Sequence, residues 1–377
     1  MPKAETMLSR HTVDPAGDMV IVAVYDPQTD GYTKTSASPE AEPSPKSDPD
    51  DAPSEPENGE ILVSSKILST ASPVFQAMLD GRFREGVQLS NAKTSPDQEP
   101  FRLALPDDDL SAMVLLCKVL HFKVDDIVAR PSSSLLLALA GICDKYHCTQ
   151  TLKYSGALWI RNWLLYLDNL SQAPIEDICC LLIFAYVADL PYEFCEVAWR
   201  LLLHHKGPLA GEQTQAVQLI DHPLLHQDVS NYLDRKRFRF CEAYHRAITG
   251  PWTTWKWASL TSGCHRARDV IAFYTERLRK AGLVPYELDL SDHRLGSLLK
   301  AASSMTHLAV RDCTSGYRCS CGGDRTDSLT RSLLVLSATI PKQKGWFGCL
   351  DCLKRGDTSS KDRECRIKHG DISDLLV

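Results

Sequence analysis

The chain opens polar and then turns abruptly apolar. Met19-Val20-Ile21-Val22-Ala23-Val24-Tyr25 is an unbroken apolar run of strand length, bounded by Asp18 and by Asp26-Pro27. Rich in β-branched residues, it predicts a strand buried on both faces. Residues 1–17 carry no such pattern and are expected to be loose. The next apolar run, Glu60-Ile61-Leu62-Val63, predicts a second strand. Between the two lies an insertion, 27–58, with seven prolines, many Ser, Asp and Glu, and a single aromatic residue. Such a composition cannot bury enough apolar surface to offset the entropy of ordering, so the pattern predicts disorder. Loop closure grows only logarithmically with length, so a domain can tolerate the interruption. Ser44-Pro45-Lys46 within it has the form of a phosphorylation site, though a tolerated low-complexity insert is the plainer reading.

After Val63 the period changes from two to helical. Ser64 or Ser65 can cap a first short helix; Ser72 can cap a second, with Pro73 at its first position, where a missing N–H costs nothing. In the second helix Val74–Met78 and Phe75–Leu79 are i,i+4 pairs that form one broad apolar face. So short a hairpin has no core of its own, and that face must pack on something. A strand is predicted over Phe101–Leu105, stopped by Pro106, with Asp107–Asp109 capping a helix that carries Leu110, Met113, Val114, Cys117 and Leu120 on one face. Two further helices follow, Ser133–Tyr146 and Thr149–Trp163. From 166 to 306 the pattern is helical throughout: Ile175–Ala188 and Tyr192–His204, broken at Asp189-Leu190-Pro191, then His226–Ile248, Arg266–Ala281 and Ser291–Met305.

The hairpin is where a family resemblance is found. Val63-Ser64-Ser65, Leu68, Ala71-Ser72-Pro73-Val74-Phe75, Met78-Leu79 and Phe83-x-Glu85-Gly86 resemble the signature helix pair of BTB/POZ domains, in the form seen in filamentous-fungal proteins. The His usual early in that motif is replaced by Ser64 or Ser65. The order of predicted elements over 18–165, the insertion apart, is also that of a BTB core. The resemblance implies an α+β fold: a small BTB/POZ sheet-plus-helices core (18–165), an α-helical region (166–306) and a loop-rich, Cys-containing C-terminal module (307–377). It further implies a protein-binding surface, used for self-association or for docking on the cullin scaffold of a ubiquitin ligase as a substrate adaptor. The family's swapped dimer needs an apolar helix ahead of the first strand, and Met1–Asp14 is too polar to supply one, which leaves a homodimer in doubt. Cullin docking in the family uses a hydrophobic-x-acidic triplet; Val124-Asp125-Asp126 stands at about that place. The candidate partner-binding residues are therefore Phe75, Val124 and Asp126.

Composition sharpens this picture in one region. Hydrophobic content of 44% with 24% charged residues is that of a globular protein, and the net charge of −6 argues against a chain built to coat nucleic acid. No apolar run reaches the roughly 20 residues a membrane span requires, and the N-terminus lacks a secretory signal. The fourteen cysteines are accordingly expected as reduced thiols, in the cytoplasm or nucleus. Most sit at apolar positions of helices. The last seventy residues differ: Cys313, Cys319, Cys321, Cys349, Cys352, Cys365 and His369 crowd a glycine-rich stretch. A Cys-x2-Cys knuckle such as Cys349–Cys352 presents two thiolates from one turn, and any of the others could complete a tetrahedral zinc site. The competing reading is a small reduced segment with incidental cysteines. Similar segments, with a Trp shortly before Cys-Leu-x-Cys, occur near the C-termini of fungal BTB proteins.

Catalytic signatures are missing. There is no His-Glu-x-x-His, phosphate loop or Gly-x-Ser-x-Gly elbow. A zinc deaminase would need Pro before the first Cys of the knuckle, where Gly348 stands, and a His-x-Glu, which does not occur. The basic, aromatic stretch Arg235-Lys236-Arg237-Phe238-Arg239-Phe240 reads as a solvated helix face with both Phe side chains turned inward. Trp252, Trp255 and Trp257, after Gly250-Pro251, read as local core. The sequence thus points to a non-catalytic interaction protein. The alternative is a BTB-containing transcriptional regulator with a C-terminal zinc module.

Overall fold

The computed structural model describes residues 9–26, 58–95, 99–170, 173–211, 214–262, 265–283, 293–304, 335–356 and 365–369. The fold is α+β, a small mixed sheet of four strands with helices making up most of the rest. The chain divides into two compact units, Met1–Leu170 with Cys180–Leu190, and Ser171–Cys179 with Pro191–Val377.

In the first unit the sheet has the order β1-β3-β2-β4, with β1 Ser9–Thr12, β2 Met19–Val24, β3 Asn58–Val63 and β4 Phe101–Asp109. The apolar run is a central strand, antiparallel to β3 and parallel to β4, and Met19, Val20, Ile21 and Ala23 are buried. A strand covered on both faces has no need of alternation, which is why the run is continuous. β3 resumes the sheet on the far side of the interruption; the predicted insertion falls, as far as residue 57, outside the described residues.

The two short helices are α1 (Ser65–Ala71) and α2 (Pro73–Leu79), separated by Ser72 alone. Ser72 Oγ accepts from the Phe75 N–H and donates to the Tyr146 carbonyl at 2.6 Å. Its place as the cap of α2 is as the sequence suggests. For α1 the cap is different. Neither Ser64 nor Ser65 supplies it; Asp18, at the foot of β2, accepts from Ser65 N–H at 2.7 Å and from Ser65 Oγ at 2.6 Å. A carboxylate at a helix N-terminus meets both the orphan donors and the helix dipole. Burial raises the Asp18 pKa, but hydrogen bonds from Lys93 and Ser65 outweigh it and hold the group below the usual carboxylate range. Phe75 lies flat on Tyr146, ring centroids 4.2 Å apart and planes 8° off parallel, and both rings are buried. Leu79 is buried with them, while Val74 and Met78 remain half-buried. Tyr146 in turn donates to the buried Asp108, which Lys145 pairs at 2.7 Å.

Helix α4 (Leu110–Leu120), capped by Asp109, packs against β2, β3, β4, α1 and α5 (Ser133–Lys145) and is buried almost all round. Helix α6 (Lys153–Asp168) completes the unit, with Trp159 against Phe184 and Trp163 Nε1 donating to the Pro131 carbonyl. Three features depart from expectation here. β1 forms in a stretch expected to be loose, as a largely exposed strand parallel to β3. The polar span after Gly86 is a helix, α3 (Arg84–Thr94), burying only Gly86 and Leu89. And Pro106 does not end β4: the ladder skips from Ala23–Leu105 to Val24–Asp109. Proline has no N–H to pair, and at an outer strand of the sheet the chain bulges past it.

Helix α7 (Ile175–Val187) spans the division between the units. The second unit contains α8 (Pro191–His204), α9 (Val229–Ser262), α10 (His265–Lys280) and α11 (Leu295–Ser304). Tyr244 Oη donates to Leu298 O at 2.7 Å and Tyr274 Oη to Ile248 O at 3.0 Å, tying α11 and α10 to α9. The expected end of α9 at Ile248 is wrong, since the helix runs on through Gly250-Pro251, with Trp252 Nε1 donating to Thr275 on α10. The expectation that Phe238 and Phe240 both turn inward also fails. Two residues apart on a helix they lie about 200° apart around the axis, and Phe240 is buried while Phe238 is 69% exposed. Lys236 and Arg237 take the inward places; Arg237 donates to the carbonyls of His205 and His293. Of the expected helical region 166–306, residues 166–170 and 180–190 belong to the first unit, and its other described residues fall in the second unit along with those of the expected C-terminal module. Among the described residues no helix is long and apolar enough to cross a membrane.

Candidate metal centre

The one group of potential ligands that gathers among the described residues is Cys349, Cys352, Cys365 and His369, whose donor atoms all lie within 4.8 Å of one another. It is built on a short helix, Leu350–Arg355, which Cys349 precedes as the N-cap residue and Gly356 ends in the left-handed conformation, φ 67°. Cysteines three apart across a helix start face the same way, so the knuckle offers two sulfurs from one turn. Just before it, Trp346 and Phe347 are buried, with Phe347 against Trp199 of α8 and the Lys236 ammonium 4.5 Å from the Trp346 ring. Lys344 pairs with Glu196 at 2.8 Å. Gly348 passes so close to α8 that a Cβ there would stand 2.6 Å from that of Ala198. These contacts fix the first half of the centre.

The second half is the stretch Cys365–His369. Asp351 accepts from the Arg366 N–H at 2.7 Å and from its guanidinium at 2.7 and 3.0 Å, and Tyr192 of α8 donates to the Arg366 carbonyl. Gly345 leaves room for it, since a Cβ there would lie 3.2 Å from that of His369. The stretch thereby returns across the helix and sets Cys365 Sγ 3.6 Å, and His369 Nε2 3.4 Å, from Cys352 Sγ. Arg355 Nη2 reaches Cys365 Sγ at 2.8 Å.

These distances suit a metal. Zn–S of about 2.3 Å and Zn–N of about 2.0–2.1 Å in a tetrahedron place neighbouring sulfurs about 3.8 Å apart, and sulfur and nitrogen about 3.6 Å apart. A disulfide would need about 2.05 Å. The shared hydrogen bond between the knuckle sulfurs already splits them. It is the chief influence pulling the Cys352 thiol down to about 4, against burial, and the same bond pushes Cys349 up. Three thiol groups and one imidazole are borderline-soft donors, the set that holds a divalent ion of zinc's kind.

Of the seven ligand candidates in the sequence, four meet here; Cys313, Cys319 and Cys321 lie outside the described residues. Sequence reasoning missed Arg355, Asp351 and Tyr192. Arg355, three residues after Cys352 on the same helix, could have been found from spacing alone; the other two could not. The partner-binding candidates are in the first unit. Phe75 is fully buried, so it shapes the unit from within. Val124–Asp126 forms a turn of 3-10 helix, where Asp126 is exposed and its carbonyl accepts from Lys118. Set beside known proteins, the chain matches no family model, no curated protein and no solved structure.

Proposed function

We propose that this chain is a non-catalytic protein–protein interaction protein, with a BTB/POZ-like first unit that serves as a substrate adaptor on a cullin-type ubiquitin ligase. A zinc ion at Cys349, Cys352, Cys365 and His369 stabilises its second unit, in the reducing cytoplasm or nucleus. The observation that carries the reading is the joining of the capped helix pair to the apolar strand across the interruption. Asp18 of the one caps α1 of the other, and Phe75 is buried on Tyr146. Two elements more than thirty residues apart in sequence therefore belong to one folded unit, as the resemblance requires.

A partner surface of the right kind accompanies it. Ile67, Ala71, Val119, Leu120 and Phe122 line an open groove of about 400 Å³. Phe122, in the left-handed conformation at φ 58°, is 86% exposed. The acidic turn Val124–Asp126 follows immediately. An exposed aromatic at an apolar groove, with acidic residues a few positions on in the chain, is what a docking anchor with a polar rim calls for. The test is capture of a purified cullin N-terminal domain by the tagged full-length protein. Binding that falls at least about tenfold in Phe122→Glu and in Asp126→Lys supports the adaptor reading. A wild-type chain that captures no cullin removes it.

A further inference from the structure

The four ligands of the centre are not equivalent. Cys349, Cys352 and His369 are buried, whereas Cys365 is partly exposed; it is the only described cysteine that is not buried. It stands outside the helix that carries Cys352, and its sulfur is the one that the Arg355 guanidinium approaches to 2.8 Å. That contact lies on the exposed side of the centre, so the sulfur is within reach of a small solute from solvent. Behind it, at 3.6 Å, is the sulfur of Cys352. An accessible cysteine sulfur with a second sulfur in van der Waals contact, placed to resolve it, is the arrangement of an oxidation-sensitive pair.

We infer that Cys365 is the labile ligand of this centre and its site of oxidation by a peroxide, which links it to Cys352 and dismantles the metal site. The inference rests on the zinc reading proposed above. The Cys365 sulfur attacks one peroxide oxygen, the O–O bond breaks, and the departing oxygen takes a proton from solvent and leaves as water. Cys365 then holds a sulfenic S–OH group. The Cys352 sulfur displaces that hydroxyl, which leaves with a second proton as water, and the S–S bond forms. Together the two sulfurs lose two electrons and the peroxide gains them. A centre left with Cys349 and His369 alone would no longer hold a divalent ion tightly.

The test uses full-length protein whose zinc content has first been measured. Hydrogen peroxide is added in steps while free zinc is followed with a chromogenic chelator, and non-reducing peptide mapping locates any disulfide. The expected result is release in step with a link between Cys352 and Cys365, and recovery of zinc binding after reduction with dithiothreitol. Zinc bound one per chain but retained while peroxide oxidises a reference thiol would overturn the inference and leave the zinc reading standing. So would release accompanied by a link at another pair. Protein that holds no zinc at the outset sinks the zinc reading, and this inference with it.

Discussion

The helix pair Ser65–Leu79 and the C-terminal elements Leu350–Arg355 and Cys365–His369 are both short pieces of chain that cannot fold alone, and they are secured by opposite means. The pair carries its own adhesive: Leu68, Phe75 and Leu79 are buried, and its two helix starts are closed by Asp18 and Ser72. Burying such side chains contributes roughly 1.5–3 kcal/mol each, which offsets part of the entropy of ordering the pair. Cys365–His369 offers one apolar side chain, Ile367, and is otherwise held by the Asp351–Arg366 pair, the Tyr192 hydrogen bond and four convergent ligands. What the first region obtains from a core, the second obtains from directional polar bonds and, on our reading, from an ion. Small loop-rich segments commonly need such a staple.

Removing the ion is therefore the strongest way to separate the two. Chelation should expose the chain around Leu350–His369 to trypsin and leave the melting of the first unit unchanged; structural zinc is worth about 10–16 kcal/mol in apparent terms in small domains. Next in size is Phe75→Ala, which removes a stacked, fully buried ring and is expected to cost about 3–5 kcal/mol of first-unit stability, read by chemical denaturation. The comparison would break if that variant also lost its zinc.

A smaller effect is expected from Ser72→Ala. The hydroxyl caps α2 and bonds Tyr146 O, so its loss should cost about 1–2 kcal/mol. A negligible change would show that packing alone seats α2.

The smallest effect is one of pH. His121 accepts from Ser64 N–H at Nε2 and lies 2.8 Å from Cys117 O at Nδ1, which assigns the proton to Nδ1 and leaves the ring neutral. Burial is the main cause holding its pKa below the usual 6.5. The unfolded chain therefore binds the proton more readily. This contribution to stability is complete above the unfolded value and is lost as the pH falls through the lowered folded one. First-unit melting should fall between about pH 7 and pH 5, and less steeply in His121→Gln; equal slopes would remove His121 from the explanation.

How much of this was legible in the sequence follows the same divide. β2, α2 and α4 were readable because apolar runs, a Ser-Pro cap and an Asp cap are local signals. β1 was not, because Ser9-Arg10-His11-Thr12 has no apolar residue and is a strand only through its pairing with β3. Asp18 as the cap of α1 was hidden because it is 47 residues from Ser65, the helix residue that donates to it. Helix α3 was hidden because it buries so little. In the centre, Cys349–Cys352 announced itself by spacing, and Cys365-x3-His369 offered a second pair. That these two pairs meet, through Asp351, Arg366 and the room left at Gly345, is a property of the folded unit alone.

The most direct measurement is the zinc content of full-length protein, by elemental analysis, for the wild type against Cys352→Ala. One zinc per wild-type chain and none in the variant is the expected result. A metal-free wild type, or a variant that keeps its full zinc, would contradict the account.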